Sequence, residues 1–315
     1  MEQYKLAEPL IGHFSDEKRR TGCTVILFPA GAVYGVSIKG HASSLRQVSL
    51  SDQMHVVSIA HAVFFTGGSA YGLDAAGGVM KFLSERGIGL KVGSMVVPSV
   101  PTAAIYDLNF SRGKAFPDRT AGYDACLKAF PENPAQGSVG AGSGATVGKT
   151  AGIENAMKGG LGIAAAEMKN GVRVGALSVV NAFGDILENG KIIAGALTKD
   201  NEFADSSGLL AGGALSNRKI EPYNTTLIAV YTDAALNRLE AAFAAEYASQ
   251  GFAASIRPCH TMLDGDSCFF FSYGKKRCDI HALAETAKTV VSRSIVNAVR
   301  YAAVSGAIKR CGDLL

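Results

Sequence analysis

Three short motifs carry side chains that could do chemistry, and the first is Asn224-Thr225-Thr226. It stands where a strand is expected to begin, after a polar, proline-containing stretch at 217–223. A threonine hydroxyl is a weak nucleophile, but a chain break before Thr225 would free an α-amino group of pKa about 8 beside it. The Thr225 hydroxyl could make that break by attacking the Asn224 carbonyl, because the resulting ester hydrolyses. The tripeptide alone favours a simpler interpretation, a strand that starts with β-branched residues.

The second motif is Asp264-Gly265-Asp266, which precedes an apolar strand. Two carboxylates at i and i+2 share one face of an extended chain, and their mutual repulsion raises one pKa, so that the pair can orient a nucleophile or hold a proton. An Asp-Gly turn is the alternative interpretation. Calcium binding is disfavoured because the other ligands of a twelve-residue loop are missing.

The third motif is a glycine-rich segment, GSVGAGSGATVGKT, at 137–150. Its last three residues resemble a phosphate-binding loop, but that pattern needs a glycine five residues before Gly148, and position 143 is serine. What remains is a loop of small residues that is expected to bring its backbone amides and Lys149 close to another group. A close crossing over a sheet would explain the glycines but not the lysine.

The elements that must position these motifs are mostly strands. Strand patterns rich in Val, Ile and Phe occur at Cys23–Phe28, Ala32–Ile38, Gly160–Met168, Val172–Val180, Ile192–Leu197, Thr225–Thr232 and Ser267–Tyr273. The middle third offers four strands with no helix of useful length among them. This order favours one layered α+β domain over strict βαβ alternation.

Three helices are also expected. The first covers Ala70–Arg86 and is closed by Gly87, and the last runs from Asp279 to about Val304. Between them, Asp233 is expected to cap a helix that carries Leu236, Leu239, Phe243 and Tyr247 on one face.

Composition excludes several classes of protein. With 31 basic and 27 acidic residues among 315, the net charge is +4, which gives no support for nucleic-acid binding. No apolar run of about 18 residues appears, and the N-terminus lacks a secretion signal, so we expect no membrane span and a cytoplasmic location. The six cysteines are scattered without zinc-type spacing and are expected to be reduced core thiols. Adjacent Cys259 and His260 would point to different faces of a strand, which disfavours a catalytic pair.

Taken together, the motifs resemble one family, the DmpA-type aminopeptidases, which include β-peptidyl aminopeptidases and nylon-oligomer hydrolases. The matching pieces cover nearly the whole chain in family order: His61-Ala62-Val63, Thr66 to Ala75, Val100-Pro101, Ile105 to Leu108, Gly140 to Lys149, Val180-Asn181-Ala182, Gly184-Asp185, Asn224-Thr225-Thr226, Thr232-Asp233 and Asp264-Gly265-Asp266. Each piece is weak alone, whereas the ordered set is specific.

The resemblance implies a precursor that cleaves itself between Asn224 and Thr225 into an α-chain, 1–224, and a β-chain, 225–315. It also implies a four-layer αββα sandwich, like that of the N-terminal nucleophile hydrolases but with different connectivity. Relatives suggest a homo-oligomer, a tetramer or larger, of such αβ units. The expected substrate is a small peptide or linear amide, and neither a metal nor an organic cofactor is required.

The resemblance also implies roles for individual residues. Thr225 would be the nucleophile, Asn181 would stabilise the oxyanion, and Tyr106 would line or assist the same site. Lys149 would sit beside the nucleophile, which explains the lysine of the glycine-rich loop. Asp264 and Asp266 would orient Thr225 and its amine. Threonine with Asp-x-Asp is closer to the nylon-oligomer hydrolase branch than to the β-peptidyl aminopeptidases, where the nucleophile is serine and the acidic motif is Ser-x-Glu.

Two other functions stay open at this point. One is an acyltransferase of the ornithine acetyltransferase type, which resembles this family in fold and also uses a self-released threonine. Its usual Ala-Thr-Met-Leu cleavage region is replaced here by Asn-Thr-Thr-Leu, which disfavours it. The other is a non-catalytic protein of the same fold, which is disfavoured because all the expected site residues are present.

Overall fold

The computed structural model describes residues 9–111, 115–131, 133, 135–214, 224–303 and 308–314. The strands are β1 (Leu10–Asp16), β2 (Thr21–Ile38), β3 (Ser44–Arg46), β4 (Ile59–Thr66), β5 (Leu90–Val92), β6 (Met95–Val97), β7 (Thr102–Ala104), β8 (Phe130–Pro131), β9 (Thr146–Val147), β10 (Met157–Lys158), β11 (Gly160–Glu167), β12 (Arg173–Asn181), β13 (Asp185–Glu188), β14 (Lys191–Ala194), β15 (Thr225–Ala234), β16 (Ile256–Arg257) and β17 (Ser267–Lys276). The helices are α1 (Ser69–Gly72), α2 (Ala76–Ser84), α3 (Arg119–Leu127), α4 (Ser206–Ala211), α5 (Arg238–Ala248), α6 (Gln250–Ser255) and α7 (Ile280–Arg300).

Ten strands form one continuous sheet, whose main order is β11-β12-β15-β17-β2-β4-β7-β3. The long strand β2 connects its two halves, because one part of it pairs with β17 and the other with β1 and β4. Its register against β4 shifts between Leu27 and Ala32, where the chain passes Pro29 and Gly31. The β2 strand therefore belongs to both β layers.

Three hydrophobic cores separate four layers. The middle core lies between the two halves of the sheet and includes Phe65 from β4 and Phe269 from β17. A second core joins α5, α6 and α7 to the outer face of the half that contains β12, β15 and β17. A third joins α2 and α3 to the outer face of β1, β2 and β4. This αββα order confirms the four-layer α+β sandwich expected from the sequence.

The strands at the centre of the molecule are buried on both faces. Along β15, Leu227 and Ala229 face the middle core, while Ile228 and Val230 face the helices. Such strands are continuous apolar runs because neither face contacts water. Of the helices among the described residues, none is long and apolar enough to cross a membrane.

Several expected strands differ from those observed. The two segments expected at Cys23–Phe28 and Ala32–Ile38 are parts of the single strand β2. The segment expected at Ile192–Leu197 is shorter, since β14 ends at Ala194. The strands β1 and β4 were not expected from the sequence.

The helices confirm two of the three expectations. A 3₁₀ turn at Leu73–Ala75 interrupts the first helix between α1 and α2, and Gly87 follows its end in the left-handed conformation. Asp279 caps α7 by accepting from the Ala282 N–H, and α7 ends at Arg300. The expected end near Val304, like the stretch 217–223, lies outside the described residues.

The expected cap of α5 is wrong. Leu236 precedes the helix, and the face shared by Leu239, Phe243 and Tyr247 is not the one that is buried. Asn237, not Asp233, caps this helix in a reciprocal capping box with Glu240. Asp233 lies in β15, one residue before its end, and forms ion pairs with Arg173 and Lys276. The buried face is made of alanines, Ala241, Ala244, Ala245 and Ala248, because the helix packs closely on the sheet.

Candidate active site

The bond between Asn224 and Thr225 lies at the start of β15, where sheet topology brings three segments together. Because β12 and β15 are antiparallel, the last residue of β12, Asn181, lies opposite Thr225. Because β15 and β17 are parallel, the segment just before β17 lies beside the same point, and Asn224 bridges to Asp264. The sheet thus assembles three of the motifs that are separated in sequence.

The Asn224 carbonyl oxygen has two donors in this buried position. The Gly265 N–H donates to it over 2.7 Å, and the Thr225 hydroxyl donates to it over 2.6 Å. Asn224 and Thr225 are each 3% exposed. A Cβ on Gly265 would lie 2.7 Å from Thr225 Oγ1, so only glycine fits between the two aspartates without displacing the hydroxyl. The carbonyl is therefore polarised next to the hydroxyl that would attack it.

Asp264 is a buried carboxyl group that accepts hydrogen bonds from neutral donors. Its Oδ2 accepts from the Thr261 N–H over 3.0 Å and from the Thr261 hydroxyl over 2.6 Å, and its Oδ1 accepts from the Phe183 N–H over 3.3 Å. Burial, with added repulsion from Asp266, raises the pKa of Asp264 to about 7. Asp264 is therefore able to take up or release a proton near neutral pH.

Asp266 is equally buried but has a different set of partners. Its Oδ1 accepts from the Thr226 N–H over 2.8 Å, next to the candidate nucleophile. Its Oδ2 lies 2.9 Å from His260 Nδ1 and accepts from the His260 N–H over 3.1 Å. Asp266 thus joins the start of β15 to a histidine that sequence reasoning did not place in the site.

Lys149 and Asn181 form a second part of the site. Lys149 Nζ donates to both the backbone oxygen and Oδ1 of Asn181, each over 2.9 Å. The Thr146 N–H donates to the same Oδ1 over 3.0 Å. Burial lowers the pKa of Lys149 to about 7, against the opposing attraction of the two site carboxylates. The glycine-rich loop therefore places the Lys149 amine, whose affinity for its proton is lowered, against Asn181, the residue opposite Thr225.

Tyr106 reaches this group through its backbone. Its carbonyl oxygen accepts from Asn181 Nδ2 over 3.1 Å, whereas its hydroxyl donates to Asn109 Oδ1 over 3.3 Å. The side chain of Tyr106 is half-buried. The expected proximity to the site is present, and the contact with Asn181 is made by the Tyr106 carbonyl.

The glycine-rich loop is held in place by a lysine that sequence reasoning missed. Lys158 is fully buried, and its ammonium group donates to the carbonyl oxygens of Gly142, Ala145 and Gly159 over 3.0, 2.8 and 3.1 Å. At the other end of the loop, Gly148 has a φ of +71°, and a Cβ there would lie 1.9 Å from the Ala196 nitrogen. Both features fix the loop so that Lys149 points at Asn181.

The missed residues left little trace in the sequence. Lys158 belongs to a strand of two residues, which is too short to show periodicity. His260 precedes Asp266 by six residues across a turn, a spacing typical of no motif.

All six cysteines carry free thiols, and Cys259 and Cys278 are half-buried rather than core residues. In the described ranges, no group of three or more His, Cys, Asp or Glu side chains is placed to hold a metal ion.

Solved structures share this fold. A β-aminopeptidase from Burkholderia sp. superposes with a TM-score of 0.68 at 19% identity, covering 93% of this chain and 84% of that one. The L-aminopeptidase D-Ala-esterase/amidase of Ochrobactrum anthropi superposes with a TM-score of 0.71 at 16% identity, covering 97% and 87%. The latter is described as a new variant of the Ntn hydrolase fold. The chain therefore has the fold of these two structures.

Sequence comparison identifies the family. Residues 8–310 match the model of peptidase family S58, and the chain belongs to that family. It is 37% identical over 263 residues to an uncharacterized aminopeptidase of Mycobacterium leprae, covering 80% of this chain and 71% of that protein. It is 31% identical over 268 residues to a 6-aminohexanoate-oligomer endohydrolase of Agromyces sp., covering 82% and 71%. The protein is a hydrolase of peptide or other amide bonds.

Proposed function

We propose that the chain cleaves itself between Asn224 and Thr225 and then hydrolyses amides with the hydroxyl of the new N-terminal Thr225. The products of self-cleavage are an α-chain, 1–224, and a β-chain, 225–315, which remain one domain. The observation that carries this proposal is the Asn224 carbonyl oxygen, which accepts from both the Gly265 N–H and the Thr225 hydroxyl in a buried site.

Self-cleavage needs no group from outside the chain except water. Thr225 Oγ1 attacks the Asn224 carbonyl carbon, and the Gly265 N–H stabilises the negative charge that develops on the oxygen. The bond between that carbon and the Thr225 nitrogen then breaks, the nitrogen takes a proton, and an ester remains. Water hydrolyses the ester, which leaves a carboxylate on Asn224 and a free amine on Thr225.

Amide hydrolysis follows the same chemistry on a substrate. The free amine of Thr225 accepts the hydroxyl proton as Oγ1 attacks the substrate carbonyl. Asn181 stabilises the oxyanion, a contribution of about 3 kcal/mol, and Lys149 lowers the cost of charge on Oγ1. Asp264 and Asp266 orient Thr225 and its amine. The leaving amine departs protonated, and water then hydrolyses the acyl-enzyme.

The names of the relatives suggest the substrate class. Some are named aminopeptidases and others 6-aminohexanoate-oligomer endohydrolases, and both names describe cleavage of amide bonds. We therefore propose a small peptide with a free amino terminus, or a small linear amide, as substrate. Cytoplasmic location and assembly into tetramers or larger oligomers are part of the same proposal.

The first experiment is a denaturing gel with intact mass, run on the purified protein beside Thr225→Ala. We expect two fragments whose masses correspond to 1–224 and 225–315, and one full-length chain in the variant. Aminoacyl p-nitroanilides and 6-aminohexanoate oligomers then test hydrolysis, and added ornithine with an acetylated donor tests acyl transfer. Full-length wild-type protein after prolonged incubation, or hydrolysis by Thr225→Ala at the wild-type rate, would contradict the proposal.

A further inference from the structure

His260 is held against Asp266 by its backbone and its ring together. Its N–H donates to Asp266 Oδ2 over 3.1 Å, and Nδ1 lies 2.9 Å from the same oxygen. The φ of His260 is +58°, an uncommon conformation for a residue other than glycine, and it turns both groups towards one oxygen. The ring also packs edge-on against Phe252 with centroids 4.9 Å apart. His260 therefore fixes the orientation of the Asp266 carboxyl group.

The two aspartates of the motif consequently differ in one respect. Asp266 binds an imidazole that becomes a cation when protonated, whereas Asp264 accepts from the Thr261 N–H, the Thr261 hydroxyl and the Phe183 N–H, which are all neutral donors. Lys149 faces both carboxyl groups, so the histidine is what distinguishes their surroundings. An adjacent cation favours the ionised form of a carboxyl group, while burial among neutral donors favours it less. The two carboxyl groups are equivalent in the sequence pattern, but they have different surroundings in the structure.

The surroundings of His260 favour its charged form. Burial by itself lowers the pKa of His260, but hydrogen bonds to Asp266 and to the Cys259 thiol raise it to about 10. Among the described residues, Glu246 of α5, which is paired with Lys39, is a further charged group that faces His260. At neutral pH His260 is therefore an imidazolium that lies against Asp266 Oδ2.

We propose that His260 is a positioning residue that holds the Asp266 carboxyl group aimed at the Thr226 N–H and places a cation beside it, so that Asp264, among neutral donors, is the carboxyl group of the pair that takes up and releases a proton. The inference rests on the proposed function, because it assigns different tasks to the two carboxylates beside Thr225. It adds to the site a residue that touches neither the substrate nor the nucleophile and acts through Asp266.

The test compares His260→Asn with His260→Phe. Asparagine tolerates the left-handed conformation and places an N–H near the position of Nδ1, but it carries no charge. Loss of the cation disfavours ionised carboxyl groups near it, so we expect the pKa of Asp264, which burial and Asp266 already raise, to rise further. We expect the acid limb of kcat/KM in His260→Asn to move up by about one pH unit, with activity about tenfold lower at pH 6 and within about twofold of wild type at pH 9.

His260→Phe removes the donor as well as the charge, so we expect activity to stay low at pH 9. The matched control is His281→Asn on α7, where an exposed histidine packs against Phe243, and its pH profile should match wild type. An unshifted acid limb in His260→Asn, or recovery of His260→Phe at pH 9, would overturn the inference.

A second measurement does not depend on activity. The protein has six histidines, so NMR of histidine-labelled Thr225→Ala shows few imidazole signals, and His260→Asn in that background identifies the one from His260. We expect that signal to stay in the imidazolium form up to about pH 9. Titration near its ordinary value would overturn the role of His260, whereas failure of wild type to cleave itself or to hydrolyse amides would overturn the proposed function instead.

Discussion

The glycine-rich loop carries one lysine, Lys149, and is held by a second, Lys158, and the two differ in exposure and in partners. Lys149 remains partly exposed, and its ammonium group donates to two oxygens of Asn181. Lys158 is fully buried, and its ammonium group donates to three backbone carbonyl oxygens, a number that matches its three donors. One lysine is therefore accessible next to the candidate nucleophile, and the other is closed within the fold.

The two lysines show that a shifted pKa does not by itself identify a functional group. Burial lowers the pKa of both to about 7. The charges around them differ, since Lys149 faces Asp264 and Asp266, while Lys158 faces Asp107. Asp107 is a structural carboxyl group, because it accepts from the Thr21 hydroxyl and the Gly68 N–H, each over 2.7 Å. The neighbouring charges and hydrogen-bond partners therefore distinguish Lys149, a candidate site residue, from Lys158, which supports the loop.

Among the changes that test the comparison of the two lysines, Lys149→Met is expected to have the largest effect on self-cleavage and activity. This change removes the amine beside Asn181, and we expect both self-cleavage and kcat/KM to fall at least about 100-fold. The free energy of unfolding should change by less than about 1 kcal/mol, because a half-buried charge is replaced by an apolar chain of similar length. Timed intact-mass measurements and urea unfolding check the two parts. Rapid self-cleavage in this variant would show that Lys149 is another support of the loop.

Lys158→Met should lower the free energy of unfolding, which Lys149→Met is expected to leave nearly unchanged. Three carbonyl oxygens lose a charged donor, and we expect the free energy of unfolding at pH 7 to fall by about 2 kcal/mol after allowing for the relief of a buried charge. Urea unfolding of Thr225→Ala with and without Lys158→Met measures this on an uncleaved chain. Unchanged stability would mean that the cost of burying the charge cancels its three hydrogen bonds.

The pH dependence of stability sharpens the difference further. The pKa of Lys158 is lowered from 10.5 to about 7 in the folded protein, so between these values the unfolded chain binds more protons. The contribution of Lys158 to the free energy of unfolding should therefore rise with pH by up to about 1.4 kcal/mol per unit. The same two proteins, unfolded in urea at pH 7, 8 and 9, should differ more as the pH rises. A constant difference would mean that Lys158 keeps its ordinary pKa.

Part of this site was predictable because separate motifs fall at strand ends. The start of β15 and the acidic turn before β17 follow from apolar runs bounded by polar residues, and the family resemblance joined them. The strand β4 was missed because both its faces are buried and its run includes His61, so no alternation distinguishes it from a buried helix. The cap of α5 was assigned to Asp233 because an early aspartate has the same local signal as Asn237.

The supporting residues could not be predicted for a different reason. Lys158 and His260 act through tertiary contacts, and the sequence around each shows neither a period nor a motif. The partners of Lys158 are backbone carbonyls, which every residue has, so no side-chain type marks them. The left-handed conformation of His260 is likewise set by the turn around it. Supporting residues of this kind are identified from their three-dimensional contacts and not from the sequence pattern.

The smallest effect is expected from Ser143→Ala, in the middle of the same loop. Ser143 is buried, and in the part of the chain that the structure describes its hydroxyl has no hydrogen-bond partner. Removing an unsatisfied hydroxyl should change the free energy of unfolding by less than about 1 kcal/mol, with stabilisation the expected sign, and should leave self-cleavage unchanged. Urea unfolding and timed intact mass measure both. A loss of self-cleavage without a loss of stability would give the Ser143 hydroxyl a role in the site, and the loop would then contribute more than Lys149 and its backbone.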